Sequence, residues 1–364
     1  MPRIQDVMRF ANLQSFIETK RAIENSNARQ SMQASGYKPI RFLGQGRFGK
    51  VFLASDARAK LCAIKVLNVE RDRREYNWTW LTAEERVQAN ADAAKLHAFI
   101  EQLAPGLVRD HMRRAEELML DTLRREENPL LRRVRRPVAE REILLRIGPH
   151  PYIANLVTSF RDTRNLFLVF DYFVGGTLAS LLAAAPSKRL AEPVAVFYAA
   201  QLLSALEFLA SRNVSHRDVK PSNVLVDGQG FAALSDFGLA TRLRGGLKTF
   251  CGTAEYIAPE VLSEKHWSAT YLDVWAFGVT VYQLLAGRTP FEAADATSVF
   301  LNTLTAPLAF PEHFSAEARS LLSLVLSRDY ERRPSIEQIK AHAFFAGVDW
   351  EKLMRKQWTA LALN

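Results

Sequence analysis

The segment "SHRDVKPSNVL" at 215–225 sets Asp218 and Asn223 five positions apart. That pairing suits phosphoryl transfer. The carboxylate orients an attacking hydroxyl and accepts its proton, while the amide oxygen holds Mg2+. Thirteen residues after Asn223, "DFG" at 236–238 adds Asp236, a second hard oxygen for the metal. Upstream, "LGQGRFGKV" at 43–51 carries Gly44, Gly46 and Gly49 in G-x-G-x-x-G spacing. Alone, this spacing also marks dinucleotide folds, which require a following helix and an acid about 20 residues on. The next residues, "KVFLASD", alternate like a strand instead. A glycine-rich hairpin laid over phosphates through its N–H groups fits better. "AIK" at 63–65 then places Lys65 on another strand, and "APE" follows at 258–260. Four motifs in this order exclude coincidence and the dinucleotide reading together.

Those groups need elements to hold them. The periodicity predicts an amphipathic helix over 6–24 ending at Ser35-Gly36, then three strands over 38–69. Residues 70–136 carry almost no strand signal. Thr82 and Glu85 form a capping box, and Leu96, Phe99, Ile100 and Leu103 recur at helical spacing up to Pro105-Gly106. A second apolar face, Val108 to Leu123, stops at Asn128-Pro129, and the basic run "RRVRR" follows at 132–136. A third helix is expected from Pro137, a favoured first helical residue, to Gly148-Pro149. Strands are expected near 154–160 and 166–171, and long helices over 192–210 and 272–286. No internal repeat or low-complexity tract interrupts the 364 residues.

Composition bounds the rest. With 48% hydrophobic residues the chain holds a sizeable core. Cys62 and Cys251 lie far apart in no metal-binding spacing, which points to a reducing compartment. The first residues offer no signal-peptide run, and no membrane span is expected from the apolar runs. The net charge of +9 suits nucleic acid, acidic membrane surfaces or a phosphate-handling protein equally. A cytoplasmic protein is expected, with nuclear import open because of the 132–136 run. A solvated basic face is the simpler account of that run, so nucleic acid is not an expected partner.

Over roughly 38–346 the sequence resembles a eukaryotic protein kinase. "KTFCGTAEYIAPE" at 248–260, "VFYAAQLLSALEFL" and "IKAHAFFAGVDWEKL" resemble the AGC group, near its cyclic-AMP-dependent branch. The resemblance implies an α+β, bilobal fold. A small β-rich N-lobe would occupy 37–171 with a C-helix and a helical insertion at about 70–132. A larger, mainly α C-lobe would occupy 172–346, flanked by an N-terminal helical extension at 1–36 and a short C-terminal extension at 347–364. It implies ATP and Mg2+ as cofactors and protein hydroxyls as acceptors. Asp218 would be the base and Lys220 would neutralise the transferring group, in a serine/threonine-specific pattern shared by Thr253. Asn223 and Asp236 would hold the metal, and Lys65 the α- and β-phosphates. Val51, Ala63 and Leu225 would sandwich adenine beside a hinge from Asp171 through Phe173 to Val174, with Phe170 as gatekeeper. Asp273 would brace the catalytic loop, and Arg333 would pair with Glu260. Thr249, thirteen residues after Asp236, stands where AGC kinases are phosphorylated by an upstream kinase, with Arg217 to receive the phosphate.

In this family the strand lysine pairs with a C-helix glutamate. Glu84 has about the usual separation. It sits, however, in the first turn of a capped helix, where acids are favoured locally, and more helix follows it. Glu140 has the right neighbourhood: "AEREILLRI" leads into "GPHPYIANLVTSF" and then a strand. Glu140 is therefore the expected partner. Leu144, one turn on, would stack with Leu156, Phe237 and His216. Arg136, one turn before Glu140, stands where the related kinase has a histidine that contacts the activation-loop phosphate.

The resemblance breaks in places. Three acids that attract basic substrates in the cyclic-AMP-dependent branch are replaced by Thr177, Ser222 and Gln283, while Glu255 remains. The basic-substrate preference is therefore not carried over. The sequence also ends at Asn364, where AGC kinases continue into a long tail with an aromatic motif that docks beside the C-helix. The N-terminal helix or the insertion is expected to fill that groove, or the insertion to dock a partner. Two alternatives stand beside this reading: a pseudokinase scaffold acting through the insertion, disfavoured because every chemical residue is present, and a serine/threonine kinase outside the AGC group.

Overall fold

The computed structural model describes residues 27–46, 49–68, 129–242, 252–263 and 269–358, with isolated positions at 98, 106, 109, 110, 112 and 113. The expected helices at 6–24 and within 70–128 lie largely outside the described residues, as do Glu84, Thr249 and the tip of the glycine loop at 47–48. In chain order the elements begin with helix α1 (Asn27–Ala34), strands β1 (Lys38–Gly46), β2 (Gly49–Ser55) and β3 (Leu61–Asn68), and helix α2 (Pro129–Ile147). Strands β4 (Leu156–Arg161) and β5 (Asn165–Asp171) and helices α3 (Leu178–Ala184) and α4 (Glu192–Ser211) follow. Next come short strands β6 (Val214–Ser215), β7 (Val224–Val226), β8 (Ala232–Leu234) and β9 (Thr241–Arg242). Helices α5 (Pro259–Ser263), α6 (Ala269–Ala286), α7 (Ala296–Thr305), α8 (Ala316–Val325), α9 (Ile336–Lys340) and α10 (Trp350–Met354) complete the order.

Five antiparallel strands form the N-lobe sheet in the order β1-β2-β3-β5-β4. Directly paired residues share a face, so register decides what each face does. Val51 pairs with Lys65, Lys65 with Leu168, and Ala63 with Phe170; these side chains all face one way. Phe52, Ile64 and Val169 take the other face and join Ala54, Cys62, Val66 and Phe167 in a separate apolar cluster. Helix α1 covers that outer face with Ala28 and Met32, one turn apart. Ser31 Oγ donates to Asp162 Oδ2 at 2.6 Å, and Tyr37 stacks on Phe160, which stacks on Phe167. Gly36, at φ +82, then turns the chain into β1.

Helix α2 begins at Pro129, not at Pro137. Both prolines suit a first turn. Pro129 takes that position, and Pro137, inside the helix, removes one backbone hydrogen bond without ending it. The insertion expected at about 70–132 thus runs into the helix that carries Glu140.

In the C-lobe, α4 and α6 are apolar on nearly every side and lie at the centre of the main core. By length and composition α4 is apolar enough to cross a membrane, but 72% of its apolar window is buried inside the fold, as in a core helix. Trp275, Phe277 and Tyr282 of α6 are fully buried. The core continues past 346 through Val348, Leu353 and Trp358.

Candidate active site

Lys65 leaves the inward face of β3 and meets two carboxylates. Its Nζ lies 2.8 and 3.0 Å from the two oxygens of Glu140 on α2 and 2.8 Å from Asp236 Oδ1. Burial alone would drive Lys65 to its neutral form, but Glu140 and Asp236 outweigh it and hold its pKa above the usual lysine value. Burial pushes Glu140 upward, and the Lys65 ammonium pulls it back only in part. Asp236 is held below the ordinary value, because the Lys65 charge and hydrogen bond exceed its burial penalty. The geometry therefore holds an ammonium between two carboxylates. Sequence reasoning had given Lys65 and Asp236 separate tasks and missed their direct contact.

Asp236 is poised by its backbone. It sits at φ +60, its carboxylate accepts from Gly238 N–H, and Phe237 turns inward to lie 4.9 Å from the His216 ring. Leu144, on the turn after Glu140, shares the core with Phe237, and Leu156 packs against it.

The 216–223 loop is held from below. Asp273 on α6 is buried and accepts the N–H groups of His216 and Arg217, each at 2.8 Å. Burial raises its pKa despite those bonds. Asp218 Oδ2 accepts from Asn223 Nδ2 at 2.8 Å, and Lys220 Nζ lies 3.0 Å from Asp218 Oδ1. Thr253 Oγ1 accepts from Lys220 and donates to Asp218 Oδ1. Arg217, at φ +65, is anchored through Nε to the Leu239 carbonyl at 2.7 Å.

The donor set suits Mg2+. Asn223 uses its amide nitrogen on Asp218, which leaves the amide oxygen for a metal, and Asp236 offers a carboxylate. Magnesium is usually held by one or two such oxygens plus substrate phosphates and water. Among the described residues no cluster of three or more His, Cys, Asp or Glu could form an all-protein cage.

Gly49 closes the glycine hairpin opposite Gly46, and a Cβ there would fall 2.3 Å from the Val66 carbonyl, so only glycine fits. Gly44, by contrast, faces open space. Val51 and Ala63 share the Lys65 face of the sheet, whereas Leu225 belongs to β7 and is bridged to Thr177 just past the hinge. Asp171 ends β5 with its side chain turned outward to Lys60 at 2.6 Å, and the Phe173 carbonyl accepts the Gly176 N–H. Thr177 caps α3 by accepting Ser180 N–H, and Gln283 accepts the Tyr256 hydroxyl, so two of the three replaced positions are engaged within the fold.

The protein kinase domain model matches residues 116–345. A "cAMP-dependent protein kinase type 3" of Saccharomyces cerevisiae is 40% identical over 242 residues, 65% of this chain and 60% of that protein. A "cAMP-dependent protein kinase catalytic subunit" of Dictyostelium discoideum is 36% identical, over 62% of this chain and 35% of that protein. "Serine/threonine-protein kinase Sgk1-A" of Xenopus laevis is 38% identical, over 61% of this chain and 52% of that protein. The aligned region thus spans between about a third and three fifths of these AGC relatives. The family match starts at 116, after the strand that bears Lys65, and takes in Glu140, Asp218, Asn223 and Asp236. By the motif order, the five-stranded sheet over a helical lobe and these matches, the chain belongs to the protein kinase domain family.

Proposed function

We propose that this protein is a Mg2+-ATP-dependent serine/threonine kinase of AGC type that phosphorylates protein hydroxyls. One observation carries the reading: Asp218, Lys220, Asn223 and Thr253 form one hydrogen-bonded cluster, and Lys65, Glu140 and Asp236 form another on the neighbouring segment. When bound, Mg2+-ATP supplies the phosphoryl group and the charge that neutralises it. Asn223 and Asp236 would hold the metal, and Gly44, Gly46 and Gly49 would let backbone N–H groups approach the phosphates. Val51, Ala63 and Leu225 would enclose the base.

The chain's own groups then do the work. Asp218 orients the acceptor hydroxyl and takes its proton. Lys220, already 3.0 Å from Asp218, is close enough to offset charge that develops on the transferred group. Glu140 fixes where the Lys65 ammonium sits. Thr253, bonded to both Lys220 and Asp218, favours a serine or threonine acceptor.

Thr249 is the proposed activating phosphorylation site, served by an upstream kinase. Arg217, half-buried and fixed through Nε to the Leu239 carbonyl, supports this, since a phosphate would find a guanidinium donor there. The substrate groove lacks three of the acids that attract basic residues and keeps Glu255, so arginine upstream of the target hydroxyl is not proposed as a determinant. Phosphate transfer from labelled ATP to a peptide library, comparing wild type with Asp218→Asn, tests the reading. Equal incorporation by both proteins would refute it.

A further inference from the structure

Glu140 and Asp236 share Lys65, yet they arrive on separate segments. Glu140 comes on α2, which runs into the loop 148–155. Asp236 comes two residues after β8. One remote stretch, 349–358, grips both segments.

The first grip is at Tyr152, five residues past the end of α2. Its side chain is buried, and its hydroxyl donates to the Leu353 carbonyl on α10. Its own carbonyl accepts Leu234 N–H at 2.9 Å, and Ala154 N–H donates to the Leu234 carbonyl at 2.9 Å. Tyr152 therefore joins the loop after α2, the strand before Asp236, and α10. The loop itself is stiff. His150 stacks on Phe208 of α4 at 4.7 Å, and the Asn155 side chain spans the His150 backbone N–H and carbonyl.

The second grip is at Lys356. Its ammonium lies 2.8 Å from Asp227 Oδ2 and 5.3 Å from the Phe231 ring, both in the turn between β7 and β8. Asp227 organises that turn by accepting the Gln229 and Phe231 N–H groups. The stretch is held in turn by the Asp349 cap on α10, by fully buried Leu353, and by Trp358 against Phe197 at 5.8 Å.

We propose that residues 349–358 brace the active site from behind, with Tyr152 and Lys356 as positioning residues that fix Glu140 and Asp236 at a common distance from Lys65. The brace rests on the kinase reading only for its effect on nucleotide. Its mechanical part stands on the contacts themselves.

The test uses the full chain with Tyr152→Phe, Lys356→Ala and the control Glu351→Gln, whose carboxylate points to solvent on the same helix. Tyr152→Phe is mild for folding, because the Leu353 carbonyl keeps the Lys356 N–H at 2.8 Å. Loosening either grip should speed amide exchange at Ala154 and Leu234 by about tenfold, with global protection unchanged. It should also raise the KM for Mg2+-ATP about three- to tenfold, with kcat within about twofold of wild type. Glu351→Gln should move neither reading. The brace is overturned if both variants lower the melting temperature yet leave local exchange and KM at wild-type values. It is overturned equally if nothing changes. A wild type that transfers no phosphate would count against the kinase reading, while the exchange measurement would still decide the brace.

Discussion

Lys65 Nζ lies 2.8 and 3.0 Å from the two carboxylate oxygens of Glu140, a residue 75 positions away in sequence. The pair is buried, so neither charge is well served by water once the other is removed. Glu140→Gln keeps the shape and deletes the charge. A lost charge-assisted hydrogen bond is worth about 1.5–3 kcal/mol, or roughly 10- to 100-fold in kcat/KM for ATP. Steady-state kinetics at several ATP concentrations would check this, and a wild-type value would mean the pair is not needed.

Asp218→Asn removes the proposed proton acceptor and keeps the side chain's shape. We expect kcat to fall about 10²- to 10⁴-fold, the usual contribution of a positioned base. The KM for ATP should stay within a few-fold. Single-turnover transfer measures the two separately.

Thr249→Ala and Arg217→Ala should lower activity alike if a phosphate on Thr249 is read by Arg217. The double variant should then be no worse than either single one. Mass spectrometry of the active protein, followed by phosphatase treatment, checks the premise. Full activity in Thr249→Ala would sink the switch.

His150 predicts how stability depends on pH. Burial pushes its pKa down to about 4, so the folded protein holds it neutral. An unfolded histidine titrates near 6.5. The contribution is therefore complete above about pH 6.5 and is lost as pH falls toward 4, because the unfolded chain binds the proton first. Its size is on the order of 2 kcal/mol, allowing for the solvent that still reaches the ring. Urea unfolding between pH 4 and 7 should show a slope that His150→Phe flattens.

Arg333 and Glu260 form a two-pronged pair, both bonds 2.6 Å, with side chains 0% and 1% exposed. Arg333 also donates to Ser327 and Tyr271 carbonyls and lies over the Trp275 ring. Arg333→Met strands the Glu260 charge, so a loss of about 3–5 kcal/mol is expected. Adding Glu260→Gln should recover part of it. Denaturant midpoints of the single and double variants decide the matter.

The chemical groups were legible because their identity and short spacing are the signal: Asp218 to Asn223, the Asp236 turn, the glycine hairpin. The Lys65 contact with Glu140 was legible by neighbourhood, since only the helix before "GPHPY" leads into strands. Helix α1 was not singled out, because its buried stripe is two residues, Ala28 and Met32, too short to stand out as a period. The start of α2 was misplaced because Pro129 and Pro137 are equally good first residues, and nothing local chooses between them. The Tyr152 contact with Leu353 spans 201 positions through one hydroxyl, and no pattern in the chain announces it. Contacts of that kind depend on tertiary packing alone.

Helix α1 bears on how this protein can be cut. A boundary set at Tyr37, where the expected N-lobe begins, would strip Ala28 and Met32 from the sheet. The cluster around Phe52, Ile64, Phe167 and Val169 would then lose its cover. Bare apolar sheet of that kind drives self-association. A shortened protein that precipitates would be reporting a missing lid on the outer sheet, not an unstable catalytic lobe.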